Sequence, residues 1–384
     1  MGTSLRARLE RIRSMEKQPK AAALHADKQE KLSAAGWQQT ADGLWERQDK
    51  SHSLAAFETS AIKLAAFSKN LAGREALPGH LCFFDFETSG LSGGSGNIAF
   101  LAAVGSFINN GDFVVRQLFM EDYPYEAAFL SSLLSLLKKP AAIVTYNGAS
   151  FDMPLLNVRL AMNQINPGKL PVHIDLLHAA RRLFRKTLGD CSLKSLETEL
   201  LGLFRHNDIP GSEVPAVWFD FLKTGNMAKM ENVFRHNALD VMSLGRLFVI
   251  IYNAILGKVI CTCDEVGLAS LQNSLDPLMA ENTLKKQLGK DDGRAAMALA
   301  KLYSQNNRKK ERLALAPYYP ENFHGFYARS IYAEKLLLDS KASLLYAERA
   351  LGLLKADAES FGNTKTRSIM LDRVRRKIIR LKGF

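Results

Sequence analysis

Cysteine is scarce in this chain. Its 384 residues contain four, Cys82, Cys191, Cys261 and Cys263, and no two-pair spacing of the kind that builds a structural zinc site. Cys261-Thr-Cys263 is a lone C-x-C, which in a reducing compartment reads as two small half-buried residues rather than a redox or metal pair. Acidic side chains are in deficit as well. Against 51 Lys and Arg stand 39 Asp and Glu, a formal charge of +12 that favours a polyanionic partner, nucleic acid ahead of an anionic membrane surface. Long apolar runs are missing. The most apolar stretch, LFVIIYNAIL from Leu247 to Leu256, is about half of the ~20 residues that a spanning helix needs, so it reads as a core helix segment. The N-terminus has basic residues but no apolar core and no small-residue cleavage site, and Arg6 stands where N-myristoylation requires Ser or Thr. A cytoplasmic protein with no membrane partner is therefore expected. The loop GLSGGSGN from Gly90 to Asn97 has the wrong glycine spacing for a dinucleotide fingerprint and no Lys-Ser/Thr for a phosphate loop. Its glycines nevertheless let backbone approach a ligand closely, as a wall beside bound phosphodiester would.

What is present is an ordinary globular composition, 47% hydrophobic and 23% charged, in a chain longer than one typical domain. Three regions are expected. Residues 1–76 read as an N-terminal extension with short helices and a small strand pair, in which Trp37, Leu44 and Trp45 alternate with polar residues across the Asp42-Gly43 turn. Residues 77–258 read as the main domain: LCFFDFE as a strand, then two apolar β-rich runs flanking the turn Asn109-Asn110-Gly111. AAFLSSLLSLLKK follows with helical spacing, AAIVTYN as a short buried strand, FDMPLLNVRLAM as a helix, and LPVHIDLL as a further strand or strand end. Strands alternating with helices define the fold class as α/β, a mixed sheet flanked by helices. Residues 265–384 read as all-helical, and YAERALGLL resembles the second helix of a tetratricopeptide repeat.

Within this map, the acids stand out. Side chains alternate along a strand, so Asp85 and Glu87 project from one side while Phe84 and Phe86 point to the other. Two carboxylates that close repel and raise each other's pKa unless a cation lies between them. Taken singly, the D-x-E also reads as a loop cap or a strand end at the surface. Asp152 enters a helix just after Asn147-Gly148, where an acid favours the helix dipole on structural grounds alone. AKMENVFRHNALDVMSLGRLF reads as one long amphipathic helix with Val233, Ala238, Val241, Leu244 and Leu247 inward, and it sets His236 and Asp240 one turn apart on a common face. That pair alone is a common surface hydrogen bond.

Together these pieces resemble the DEDD exonuclease superfamily with its ribonuclease H-like fold, and more closely a YprB-like exonuclease domain. The blocks that carry the resemblance are FFDFETSGL, YNGASFDMPLLNVR, HIDLLHAARRLFR, DCSLKSLE, DIPGSEVP and RHNALDVMSL, in the family's order between about Leu77 and Ile255. The resemblance implies that Asp85, Glu87, Asp152 and Asp240 hold two Mg²⁺ or Mn²⁺ ions ~4 Å apart, which clamp the attacking and leaving oxygens of a phosphodiester and acidify a bound water. It implies that His236 takes the proton from that water, a role suited to imidazole. Three residues separate His236 from Asp240, where relatives with a catalytic histidine have four; three is the spacing of relatives that use tyrosine. Thr88-Ser89 replaces the two threonines common in the first block, which keeps a hydroxyl.

The same resemblance gives the reaction as hydrolysis from a free 3′ end, on single-stranded DNA in preference to RNA, with a place in DNA repair or nucleic-acid processing. Arg181, Arg182, Arg185 and Lys186 on the helix HAARRLFRKTLG, and Asn147, are the candidates for guiding the nucleic acid. Asp175 is expected to cap or orient rather than bind metal, and Tyr146 to be buried in the strand core. The helical C-terminal region is expected to recruit a partner such as a helicase, its last helix being basic and amphipathic. A non-catalytic nucleic-acid-binding adaptor and an endonuclease are the competing readings.

Overall fold

The computed structural model describes residues 23–49, 52–53, 61–90, 96–108, 111–258, 261–290, 293–356 and 364–383. The extreme N-terminus, Gly93 and Gly94 of the glycine loop, and Asn109-Asn110 of the predicted turn lie outside them. The chain divides into two units, residues 1–254 and 255–384.

Unit 1 begins with α1 over residues 23–34 and the hairpin β1 (Gln38–Ala41) and β2 (Leu44–Gln48). Its turn requires Gly43 at φ +62, and Trp37, Leu44 and Trp45 are buried as their alternation predicts. Three short strands follow: β3 (His52–Ser53), β4 (Ile62–Lys63) and β5 (Glu75–Ala76), the last two paired with each other. The main sheet is completed by β6 (Leu81–Thr88), β7 (Ala99–Ile108), β8 (Asp112–Met120), β9 (Ala142–Thr145) and β10 (Val172–Asp175). Its order is β1-β2-β8-β7-β6-β9-β10, with β3 joined to β8. The N-terminal hairpin is therefore continuous with the sheet, Trp45 standing opposite Phe119 of β8. β6 is central, antiparallel to β7 and parallel to β9, and β9 is parallel to β10. Three parallel strands thus end at one edge, where crossover connections leave functional loops.

Helices cover both faces. They are α2 (Glu126–Leu137), α3 (Asp152–Met162), α4 (Leu176–Leu188), α5 (Leu193–Leu201), α6 (Val214–Thr224) and α7 (Met227–Ile255). Phe84 and Phe86 share a core with Phe129 and Leu133 of α2 and Trp218 and Phe221 of α6, and Phe100 stacks on Trp218 with centroids 4.7 Å apart. On the opposite face Phe83 meets Phe248 of α7 edge-on at 5.4 Å. Gly105 makes this close approach possible, since a Cβ there would lie 2.6 Å from Val241 Cγ1. Val233, Ala238, Val241, Leu244 and Leu247 are all buried, so α7 is a core helix, although among the described residues it is the one helix long and apolar enough to cross a membrane.

Unit 2 is all-helical: α8 (Glu265–Gln272), α9 (Pro277–Gln287), α10 (Arg294–Gln305), α11 (Lys309–Ala314), α12 (Phe323–Lys335), α13 (Ser340–Ala356) and α14 (Thr364–Leu381). Helices adjacent in sequence pack on each other around two small cores. Ala269, Ala280, Leu284, Ala295 and Leu299 form the first, and Phe323, Phe326, Ala347, Ala350, Leu354, Val374 and Ile378 the second. Small residues at the crossings let these helices come close. Cys261 and Cys263 are free thiols of intermediate exposure.

Candidate active site

Asp85 and Glu87 leave β6 on the α7 side, the pleat holding Phe84 and Phe86 in the opposite core. Asp152 is the first residue of α3, reached by the tight turn after β9. Asn147 takes left-handed φ at +63, and Gly148 presses so closely on the helix start that a Cβ would sit 2.9 Å from Asp152 Oδ2. Asp175 ties this turn down: its carboxylate accepts from Asn147 N at 2.8 Å and Ala149 N at 3.1 Å while capping α4 through Leu177 N at 3.1 Å. The expected capping role of Asp175 is what the structure gives. Asp85, Glu87, Asp152, Asn147 and Tyr146 line one cavity of about 260 Å³, with Thr88, Asn97, Phe151 and the start of α6 at Val214-Pro215 completing its walls.

The carboxylates act on one another. Burial, then Asp152, Asp240 and Glu87, push Asp85 well above the usual carboxylate range, opposed by one hydrogen bond from Asn237. Glu87 is likewise pushed well up by burial, then by Asp240, Asp152 and Asp208. Burial lifts Asp152 to about 7 despite hydrogen bonds from the backbone. Carboxylates that close and that buried hold their charge only when a cation neutralises them. Their donor atoms are all carboxylate oxygens, which suit a hard divalent ion such as Mg²⁺ or Mn²⁺. Among the described residues no group of three or more His, Cys, Asp or Glu side chains is closed into a ligand set, and Asp240 Oδ1 is engaged instead by Arg205 Nη1 at 2.6 Å.

Arg205 is the main cation of the cluster, and nothing in the sequence singled it out. Its guanidinium meets Asp240, Asp208 at 3.3 Å, and Glu197 of α5. Asp208, from the DIPGSEVP block, holds His236: its carboxylate lies 2.9 Å from Nδ1. Burial opposes ionisation of Asp208, but His236 and Arg205 outweigh it and hold the carboxyl below its usual range. With Nδ1–H donated to Asp208, Nε2 is the basic face of the ring, and it points at Glu87 Oε1 (3.9 Å) and Asp240 Oδ2 (3.8 Å). The three-residue spacing to Asp240 thus still brings His236 to the acids.

A second unforeseen group is Asn237. Its Nδ2 donates to Asp85 Oδ2 at 2.9 Å, while its Oδ1 accepts from Gln117 Nε2 at 3.2 Å; Gln117 in turn accepts from Arg47 Nη2 at 3.2 Å. The amide orientation at Asp85 is therefore fixed through β8 and β2. A Gln inside the apolar run DFVVRQLFM and an Asn inside RHNALDV were the available signals, buried polar groups that need partners.

Tyr146 departs from expectation. β9 ends at Thr145, so Tyr146 lies past the strand, half-buried, and donates its hydroxyl to the Cys191 carbonyl at the cavity wall. Arg181, Arg182, Arg185 and Lys186 are exposed on α4. Arg181 is near enough to act on Tyr146 and Cys191, and Arg185 acts on Asp190, so this pair faces the wall that Tyr146 belongs to. Arg182 and Lys186 lie one position further round the helix.

Residues 82–252, which carry most of the mixed sheet and flanking helices described above, match the RNase_H_2 model of the RNase_H superfamily. The YprB protein of Bacillus subtilis (strain 168) is 31% identical over 281 residues, 71% of this chain; the chain spans 63% of that relative's length. Among solved structures, the family B DNA polymerase of the hyperthermophilic archaeon Pyrobaculum calidifontis aligns with TM-score 0.40 at 16% identity, covering 59% of this chain and 29% of the polymerase. The zinc-ion-bound E. coli ExoI-ssDNA complex aligns with TM-score 0.27 at 21% identity, covering 43% of this chain and 45% of ExoI.

Proposed function

We propose that the chain is a metal-dependent exonuclease that hydrolyses phosphodiester bonds from the 3′ end of single-stranded DNA. One observation carries the reading: Asp85, Glu87 and Asp152, from two separate elements, line a single cavity, and burial together with neighbouring carboxylates, Asp240 among them in each case, raises the pKa of all three, an arrangement suited to a site that takes cations and phosphates. Asp85, Glu87, Asp152 and Asp240 would hold two Mg²⁺ or Mn²⁺ ions, whose chemistry when bound is to neutralise phosphoryl charge and lower the pKa of water. His236 is the general base. Its Nε2 faces the acids and accepts the proton of the attacking water, and Asp208 stabilises the imidazolium that results. Arg205 holds Asp240 and Asp208 in place through an ion pair with each. Asn147 and the α4 residues Arg181, Arg182, Arg185 and Lys186 would guide the strand, and the helical unit 2 would recruit a protein partner.

The test is release of label from 3′- and 5′-labelled single-stranded DNA and RNA with Mg²⁺, Mn²⁺ or EDTA, comparing wild type with Asp85→Ala. Metal-dependent loss of the 3′ label from DNA, absent in the variant, is the expected result. Cleavage by neither metal, with DNA binding intact, refutes the exonuclease and leaves a nucleic-acid-binding protein.

A further inference from the structure

The basic excess of the chain is not spread evenly. Residues 255–384, about a third of the length, hold 23 Lys and Arg against 14 Asp and Glu, so +9 of the formal +12 belongs to the helical unit rather than to the domain with the acidic cavity. The excess is densest in α14, which carries seven Lys and Arg and the single acid Asp372. The helix is sided. Val374 and Ile378 are buried in the core with Phe323, Phe326 and Ala347. Lys377 and Arg380 meet Glu334 of α12, and Lys382 meets Glu348 of α13. Arg373, Arg375 and Arg376 are exposed and have no ion-pair partner among the described residues.

We infer that this outward face of α14 is a second nucleic-acid contact, gripping the phosphate backbone without reading sequence. Arg373 and Arg376 stand one turn apart at i and i+3, Arg380, 64% exposed though it also meets Glu334, extends that row at i+7 to about 10 Å at ~1.5 Å per residue, and Arg375 lies on the other flank of the outward face. That length matches about three phosphates of one strand at ~3.4 Å each. Guanidinium is the side chain best suited to them, since its planar fork donates two hydrogen bonds to one phosphate. The apolar stripe that would sink a basic amphipathic helix into a bilayer is already spent in the core, so only Ile369 and Ile379 remain outside. Nucleic acid is thus favoured over an anionic membrane. The inference stands apart from the nuclease reading, because it concerns binding.

The experiment uses the full chain in EDTA, where no cleavage proceeds, with a fluorescein-labelled 20-mer of single-stranded DNA and anisotropy read from 50 to 200 mM KCl. Wild type is compared with R373Q/R375Q/R376Q, and with K309Q/K310Q/K341Q as a control of equal charge loss at exposed lysines of the same unit. At ~0.7 of slope per phosphate contact, loss of the two row contacts at Arg373 and Arg376 makes log K against log[KCl] shallower by about 1.4 or more and weakens binding at 150 mM salt by roughly 15-fold or more. The lysine control is expected to change binding far less. Equal losses in the two triple variants, or no change in the arginine variant with its helical circular dichroism intact, overturn the proposal. So does loss of binding to phosphatidylserine vesicles with DNA binding unchanged, which would assign the face to a membrane.

Discussion

Replacing Arg205 by Met tests the account of the acidic cluster most directly. The guanidinium is 10% exposed and serves three carboxylates at once, of which Glu197, 1% exposed, has its second oxygen buried without a hydrogen-bond partner among the described residues. Methionine fills much of the same volume, so the cost is chiefly that of stranding buried charge. Removing one partner of a buried ion pair costs about 3–5 kcal/mol. Three acids lose their cation here, but Asp208 keeps His236, so the upper part of that range is expected. All three tryptophans, Trp37, Trp45 and Trp218, are buried in unit 1, and urea unfolding followed by tryptophan fluorescence therefore reports that unit alone. In EDTA at pH 7.5 the variant should unfold at a midpoint lower by the equivalent of about 4–5 kcal/mol, or on the order of 10 °C in melting temperature. The sign of the pH dependence follows from Asp208. Its folded pKa lies below the unfolded value of ~3.9, so the stability it contributes is present above that value and is lost as pH falls through the folded one. The gap between wild type and variant should accordingly narrow from pH 5 towards pH 3. A gap under about 1 kcal/mol at pH 7.5 would refute the claim that Arg205 is the cluster's countercharge.

Three further outcomes are expected. Asp152 has a folded value near 7, above its unfolded value, so its contribution is fully present below ~4 and is lost as pH rises through 7; metal-free protein should lose stability between pH 5 and 8 by urea titration, less so in Asp152→Asn, and added Mg²⁺ should restore most at the alkaline end. His236→Gln should lower turnover by about 10²–10⁴-fold and Asp208→Asn by about 10–100-fold, with unchanged tryptophan emission; label release under excess substrate measures both, and an unaffected Asp208→Asn would remove that carboxylate from the mechanism. A fragment starting at Leu77 lacks β1 and β2 and bares the edge of β8 along Arg116–Met120, so it should aggregate, as static light scattering would show; a soluble, active fragment would mean that the N-terminal hairpin is dispensable to the sheet.

Much of the fold was legible because it is written in short-range periodicities. Two-residue alternation around Asp85 and Glu87 specified their shared side, and the 3.6-residue spacing of Val233, Ala238, Val241, Leu244 and Leu247 specified the buried face of α7. The end of β9 was less legible. Tyr146 reads as strand from its neighbours, but the left-handed turn at Asn147, held by Asp175 from another strand, cuts the strand short. Asn147-Gly148 announces a turn in sequence; which carboxylate secures it depends on β9 and β10 lying side by side.

By itself the sequence indicated the mixed α/β architecture through its short-range periodicities, whereas Asp85, Glu87, Asp152, Asp240 and His236 were singled out as a set only by the resemblance that the six motif blocks carry, since each alone has an ordinary structural reading. Only the tertiary structure decided their electrostatic setting. Arg205, Asp208, Glu197, Asn237 and Gln117 reach the site from separate segments. Their roles follow from which buried charges and amides the fold brings within hydrogen-bonding distance, and that selection is made by the packing of α5 and α7 against the sheet. The charge division between the two units was likewise countable in the sequence, but which arginines of α14 face outward was settled only when Val374 and Ile378 found their core.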